Sequence, residues 1–258
     1  MKKCILALVI LASVALPAQD LQSISARVDK ASKYVSGFLN EFSEVKCTEH
    51  VVQAKLTPNG KNEYSEESTF DYLVIMQGGD GDLLLSESRL QEKEARHLKQ
   101  LPMLITNGFS TLFLVFHPYY RDSFTFTFVG EEIVAGRKLA RIRFDHVLGA
   151  RTPMALAVRG REYPLQLTGT ALVDDTTGAI ARIDAGLVAP MEDIGLRALQ
   201  TKVEYLPLPA KGVDQTYRFP TVATVEVQTL KQHWRNVHRF TDYKRFLVDT
   251  EVSLAEKK

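Results

Sequence analysis

The sequence predicts an α+β fold that is mostly antiparallel β, on three observations. A single amphipathic helix near the N-terminus is followed by strand-length segments of period two; short turns join those segments and favour antiparallel neighbours; and the strands number about nine to eleven, enough that a sheet curls or closes to limit its edges.

The chain opens with a leader. Lys2 and Lys3 precede the apolar run Ile5 to Leu16, and Leu16-Pro17-Ala18 offers a cleavage site, the layout of a secretory signal peptide over residues 1–18. The mature chain is then expected to be one domain, 19–258, working outside the cytoplasm: in the periplasm, or outside the cell if there is a single membrane. Such a location has no ATP supply, which favours binding, carriage or hydrolysis. The apolar run is too short to span a bilayer and no later stretch is long enough, so no transmembrane anchor is expected. Cys4 lies ahead of the run rather than after it and leaves with the leader. Cys47 is then the remaining cysteine, which excludes an internal disulfide and disfavours a thiolate metal cluster. The formal charge of +1 becomes −1 once Lys2 and Lys3 are removed, a balance that selects neither nucleic acid nor an anionic membrane.

Leu21, Ile24, Val28, Ala31, Val35, Phe38 and Phe42 recur at spacings of three and four, which predicts one helix over 22–44. Its apolar stripe is read as lying on a sheet rather than in a coiled coil.

From Val45 the period becomes two. Val45 to Leu56 ends at Pro58-Asn59-Gly60; Ser68 to Gln77 ends at Gly78-Gly79-Asp80-Gly81-Asp82; Leu83 to Leu90 follows. Phe124, Phe126 and Phe128 alternate with threonines, and Ala140, Ile142 and Phe144 with arginines, across the short connection Val134-Ala135-Gly136-Arg137. Tyr163 to Val173 runs into the turn Asp174 to Gly178, and Ile180 to Val188 returns. Leu199 to Tyr205, Tyr217 to Thr229 and His233 to Val248 complete the strands, leaving Ser253 to Lys258 as a frayed tail.

Glu87 to Tyr120 breaks this rhythm. Glu92 to Arg96 favours helix, Pro102 interrupts, and Phe109, Leu112, Phe113 and Phe116 fall at helical spacing before Pro118. Leu114 and Val115 make the element apolar nearly all round, so it must be buried on both sides or cover something apolar; a buried strand over Thr111 to Phe116 fits equally well.

Six of the thirteen phenylalanines fall between Phe109 and Phe128. Phe109, Leu112, Phe113, Phe116, Phe124, Phe126 and Phe128 are the candidate ligand-binding residues, as the lining or lid of an apolar site. The competing reading is an ordinary core, where aromatic clusters commonly sit.

Other motifs carry less. Gly78 to Asp82 is similar to a calcium-binding repeat but has Leu83 at the sixth position and occurs once, so it reads as a turn. His233 and His238, five apart on a strand, point to opposite faces, as do Cys47 and His50 at three apart. Glu131-Glu132 and Asp174-Asp175 sit in turn-like stretches. Nucleophile, zinc and phosphate-loop motifs are absent, and no metal, cofactor or catalytic residue is expected.

The leader, the helix ending near Glu44, the antiparallel strands, the insertion Glu87 to Tyr120, the hairpin Val134 to Leu139, the stretch Tyr163 to Ile183 and Tyr217-Arg218-Phe219-Pro220 together resemble the LolA/LolB lipoprotein carrier superfamily and its RseB-like relatives. The resemblance implies a curved, unclosed half-barrel whose concave face, under a helical lid, holds acyl chains. A sixteen-carbon chain costs roughly 12 kcal/mol to keep in water, so a carrier needs an apolar site that opens and closes. The implied ligand is a lipid or lipoprotein acyl chain, although the chain lacks a recognisable partner-docking motif. Two other functions stay open: an envelope sensor or interaction module binding another protein through a sheet face or edge, and a hydrolase built from carboxylates or from His117 and His146 brought together by folding.

Overall fold

The computed structural model describes residues 17–79, 82–91, 108–158, 161–207 and 217–245. The expected leader lies outside these residues except for Pro17 and Ala18, which open helix α1 (Pro17–Phe42). The helix therefore starts at Pro17 rather than at Gln22. A proline fits the first turn because the backbone N–H it lacks has no partner there. No helix among the described residues is long and apolar enough to cross a membrane.

Among the described residues twelve strands follow: β1 (Val45–Leu56), β2 (Asn62–Gly79), β3 (Asp82–Gln91), β4 (Phe124–Val134), β5 (Arg137–His146), β6 (Ala155–Val158), β7 (Arg161–Pro164), β8 (Leu167–Asp174), β9 (Ile180–Leu187), β10 (Leu196–Pro207), β11 (Arg218–Thr229) and β12 (His233–Arg245). Ten of them form one open sheet in the order β3-β2-β1-β12-β11-β10-β9-β8-β5-β4, antiparallel at every pairing. Strands β3 and β4 are its edges, and β6 and β7 make a separate hairpin.

The expected single run from Tyr163 to Val173 is divided. Pro164 has no N–H to continue a ladder, Leu165 donates instead to the Met154 carbonyl, and the main sheet resumes at Leu167. The predicted hairpin between β4 and β5 has the two-residue form: Val134 faces Arg137, and Ala135 and Gly136 both take left-handed φ values of 48° and 75°. Gly79 pairs with Asp82, so the glycine-rich stretch is the connection between β2 and β3.

One face of the sheet is covered. Helix α1 lays Ile24, Val28, Ala31, Val35, Phe38, Leu39 and Phe42 on it, all buried. The facing strand positions are the apolar halves of the alternating patterns, among them Tyr72, Ile142, Ala171, Val203 and Val225. The opposite face carries ion pairs such as Lys46–Asp71, Arg143–Asp145, Arg182–Asp184 and Lys202–Glu204. That division by period two sets which side carries the continuous apolar surface.

In the insertion, residues 92–107, including the expected helix at Glu92 to Arg96, lie outside the described residues. The apolar run after them is a 3-10 helix, Leu112–Phe116, followed by a single turn of α-helix, α2 (Pro118–Arg121). It is thus neither an α-helix nor a strand. Pro118 and the extended backbone of His117 stop it after five residues.

Candidate functional site beneath the covering helix

Leu112 to Phe116 is the most deeply buried segment between α1 and the sheet, every residue being 0–2% exposed. Its rings are wedged among those of the elements around it. Phe113 meets Phe38 of α1 edge-on at 4.8 Å between centroids and Tyr205 of β10 at 6.1 Å. Phe116 packs on Phe126 at 5.1 Å and on Phe144 at 6.5 Å. Phe109 is buried beside this segment and Phe124 stacks edge-on to Phe144.

The seven candidate residues therefore do not share one environment. Phe109, Leu112, Phe113, Phe116 and Phe124 are buried, Phe126 is half-buried, and Phe128 is 36% exposed with the Arg27 guanidinium 4.4 Å over its ring. The first six converge on the covered face, while Phe128 stands at its rim. Phe124 and Phe126 also line a notch of about 420 Å³ at the β4 edge, closed on its other sides by Ile24 and Val28 of α1 and by Arg121 and Asp122.

Polar clamps hold the cover. Arg27 donates twice to the Asp175 carboxylate, at 2.8 and 3.0 Å, and Lys30 donates to the Asp175 carbonyl. Asp174 shapes that hairpin tip by accepting from the backbone N–H of Thr176 and Thr177. Gly178 completes it with φ +78° and lies so close to α1 that a Cβ would stand 2.5 Å from the Lys30 carbonyl oxygen. On the other flank Arg121 of α2 donates to Asp29 at 2.5 Å, and further along Arg245 holds Glu41 and Glu44. Of these, Arg121–Asp29 joins α1 to α2 at the notch itself, whereas Arg27–Asp175 joins α1 to the turn between β8 and β9.

A buried polar cluster, not anticipated from the sequence, ties down the start of the insertion. Glu49 of β1 is fully buried and accepts from His238 of β12 at 2.7 Å and from Arg89 of β3 at 2.9 Å. Arg89 also lies 3.1 Å from Glu87, whose other oxygen accepts from the Gly108 N–H at 2.7 Å and the Ser110 hydroxyl at 3.3 Å. Tyr72 and Ser110 share a 2.5 Å hydrogen bond. Burial alone would raise the Glu49 pKa, but the hydrogen bonds from His238 and Arg89 outweigh it and leave the carboxyl below its ordinary value. A trace of this is visible in the alternation: Val45, Cys47, Glu49, Val51 and Gln53 share one face of β1, so an apolar row carries a carboxylate inward.

The histidines fall into structural roles. His117 Nδ1 accepts from the Tyr119 N–H as the cap of α2, and burial lowers its pKa, which keeps it neutral there. His146 Nε2 donates to the Arg151 carbonyl. Neither is joined to a carboxylate or to the other by these bonds. His233 pairs with Glu226 on the open face and His238 with Glu49 on the covered one, as their spacing predicts. Cys47 is buried, and that burial pushes its thiol pKa up, away from the thiolate a nucleophile needs. Among the described residues, no group of three or more His, Cys, Asp or Glu side chains could hold a metal ion.

No protein-family model matches the chain, and no curated protein matches it in sequence. Solved structures similar to it include a DUF1329 family protein from Desulfovibrio piger, at 15% identity and a TM-score of 0.44, covering 90% of this chain and 95% of that one. A LolA superfamily protein from Nitrosomonas europaea has 12% identity and a TM-score of 0.39 over 87% and 94% of the two chains. A proposed outer membrane lipoprotein-sorting protein domain from Vibrio parahaemolyticus has 10% identity and a TM-score of 0.37 over 86% and 95%.

Proposed function

We propose that this protein is an exported carrier or chaperone for an apolar ligand, a lipid or lipoprotein acyl chain, which it takes between α1 and the covered face of the sheet by displacing Leu112–Phe116. The observation that supports this most is the complete burial of that five-residue apolar segment in an insertion rather than in the sheet itself. In the ligand-free protein the segment occupies the apolar space, and an acyl chain of similar hydrophobicity exchanges for it with little net loss of burial. The notch at Phe124 and Phe126 is the entrance, and the clamps Arg27–Asp175 and Arg121–Asp29 govern how readily α1 lifts. The periplasm is the corresponding location, inferred from the leader.

The test is titration of delipidated protein with a fluorescent sixteen-carbon fatty acid, alongside native mass spectrometry of the protein as purified. Saturable one-to-one binding, or co-purified lipid, is expected. Absence of both overturns the reading.

A second reading is an envelope interaction module. The edge of β4, unpaired among the described residues and with Val129, Ile133 and Val134 exposed, favours it, because an edge strand can accept a strand from another protein. Protection of β4 amides from hydrogen exchange in a cell-envelope extract, without acyl binding, would select this alternative.

A further inference from the structure

On the sheet face opposite α1, at the end bearing the β4–β5 hairpin, two leucines depart from the charged pattern. Leu139 and Leu172 follow the same alternation as Arg141 and Thr170, yet both are buried. They belong to a pocket of about 420 Å³ with Ala181 in its wall and Val134 and Leu206 at its exposed rim. That volume lies within the roughly 300–1,000 Å³ range of small-molecule sites.

The pocket's polar groups are mostly cationic. Arg137, Arg182 and Arg218 line it, with Glu204 as the opposing charge. Glu204 is neutralised by Lys202 at 2.6 Å, and Arg182 is held by Asp184 at 2.8 Å and by Glu132. Arg137 and Arg218 make no side-chain ion pair among the described residues; Arg218 is half-buried and acts on Asp174 only through its longer-range charge. An apolar recess with two uncommitted guanidinium groups matches a ligand that has a short hydrocarbon group and one anionic end. Guanidinium recognises carboxylate and phosphate alike through paired N–H donors.

We infer that this recess is a second binding site, separate from the covered face, for a small anionic amphiphile whose acyl or aryl group fills the leucine-lined floor while Arg137 and Arg218 hold its carboxylate or phosphate. The site does not depend on displacement of Leu112–Phe116, because the sheet lies between them.

Isothermal titration of the mature protein with octanoate, octyl phosphate, octanol and inorganic phosphate tests it. The two amphiphiles should bind with one-to-one saturation, and octanol and inorganic phosphate at least about tenfold more weakly, since each supplies half of the recognition. Arg137→Gln and Arg218→Gln should each weaken amphiphile binding by about three- to tenfold, and Ala181→Trp, which fills the recess, should abolish it. Arg137 is exposed, so its variant carries the test even if Ala181→Trp does not fold. The inference is overturned if neither amphiphile binds, if inorganic phosphate binds as well as octyl phosphate, or if the arginine variants leave affinity unchanged. It is also overturned if Phe126→Trp at the opposite notch removes the binding, which would assign the amphiphile to the covered face.

Discussion

His238 Nδ1 lies 2.7 Å from Glu49 Oε1 although the two residues are 189 positions apart, and this contact joins the first strand of the chain, β1, to the last, β12. Breaking a buried ion pair such as Glu49–Arg89 by removing one partner costs about 3–5 kcal/mol, because the other partner stays desolvated. Glu49→Ala should lower unfolding stability by that order in urea. The pH dependence follows from the depressed folded-state pKa of Glu49: its contribution is present above the ordinary carboxylate pKa and is lost as pH falls through the lower folded value. Wild type should therefore lose more stability than Glu49→Gln on acidification below about pH 4.5. Parallel acid curves for the two proteins would contradict this.

The Arg27–Asp175 clamp is partly exposed, so its loss should cost no more than about 1 kcal/mol of global stability. Its effect on access should be larger. Arg27→Ala also removes the cation over Phe128, and stopped-flow mixing should find faster entry of an acyl probe with little change in the thermal midpoint. An unchanged entry rate would separate the clamp from any gating role.

Two left-handed glycines make a controlled comparison. Gly136, at the β4–β5 turn, has φ +75° and open space where a Cβ would stand, whereas Gly178 has nearly the same φ but abuts the Lys30 backbone. Gly136→Ala should cost about 1–2 kcal/mol, the conformational penalty alone. Gly178→Ala should cost more, with added disorder of the N-terminal half of α1 visible in hydrogen exchange. Equal losses would show that the contact with α1 contributes nothing.

Phe113 and Phe128 separate burial from proximity. Phe113→Ala should destabilise by about 3–5 kcal/mol and leave a cavity that raises affinity for a bulky acyl probe. Phe128→Ala, at an exposed position, should change stability by under about 1 kcal/mol. A similar loss for both would mean that the rim is packed as tightly as the interior.

Much of the architecture is legible in the sequence because it depends on neighbours in the chain. The stripe from Ile24 to Phe42 is a property of helical spacing, the inward turn of Ile142 and Phe144 is a property of strand alternation, and the β4–β5 turn follows from the shortness of the connection Val134-Ala135-Gly136-Arg137. The division of Tyr163 to Val173 is not legible, because the bond from Leu165 goes to Met154, outside the main sheet. For Leu112 to Phe116, short apolar periodicity is the same for a helix and a strand, and only packing on Phe38, Tyr205 and Phe144 selects a 3-10 turn.

By itself the sequence determined an N-terminal helix with one apolar stripe, a predominantly antiparallel sheet with one apolar face, and the positions of the β4–β5 and β8–β9 hairpins, since each is written in spacings of a few residues. Tertiary structure alone decided that β12 closes onto β1, that Glu49 meets Arg89 and His238, that the phenylalanines divide into a buried group and a rim, and that Leu139 and Leu172 form a recess on the charged face. Those outcomes rest on contacts between residues far apart in the chain, whose meeting is set by the global balance of burial and pairing rather than by any local pattern.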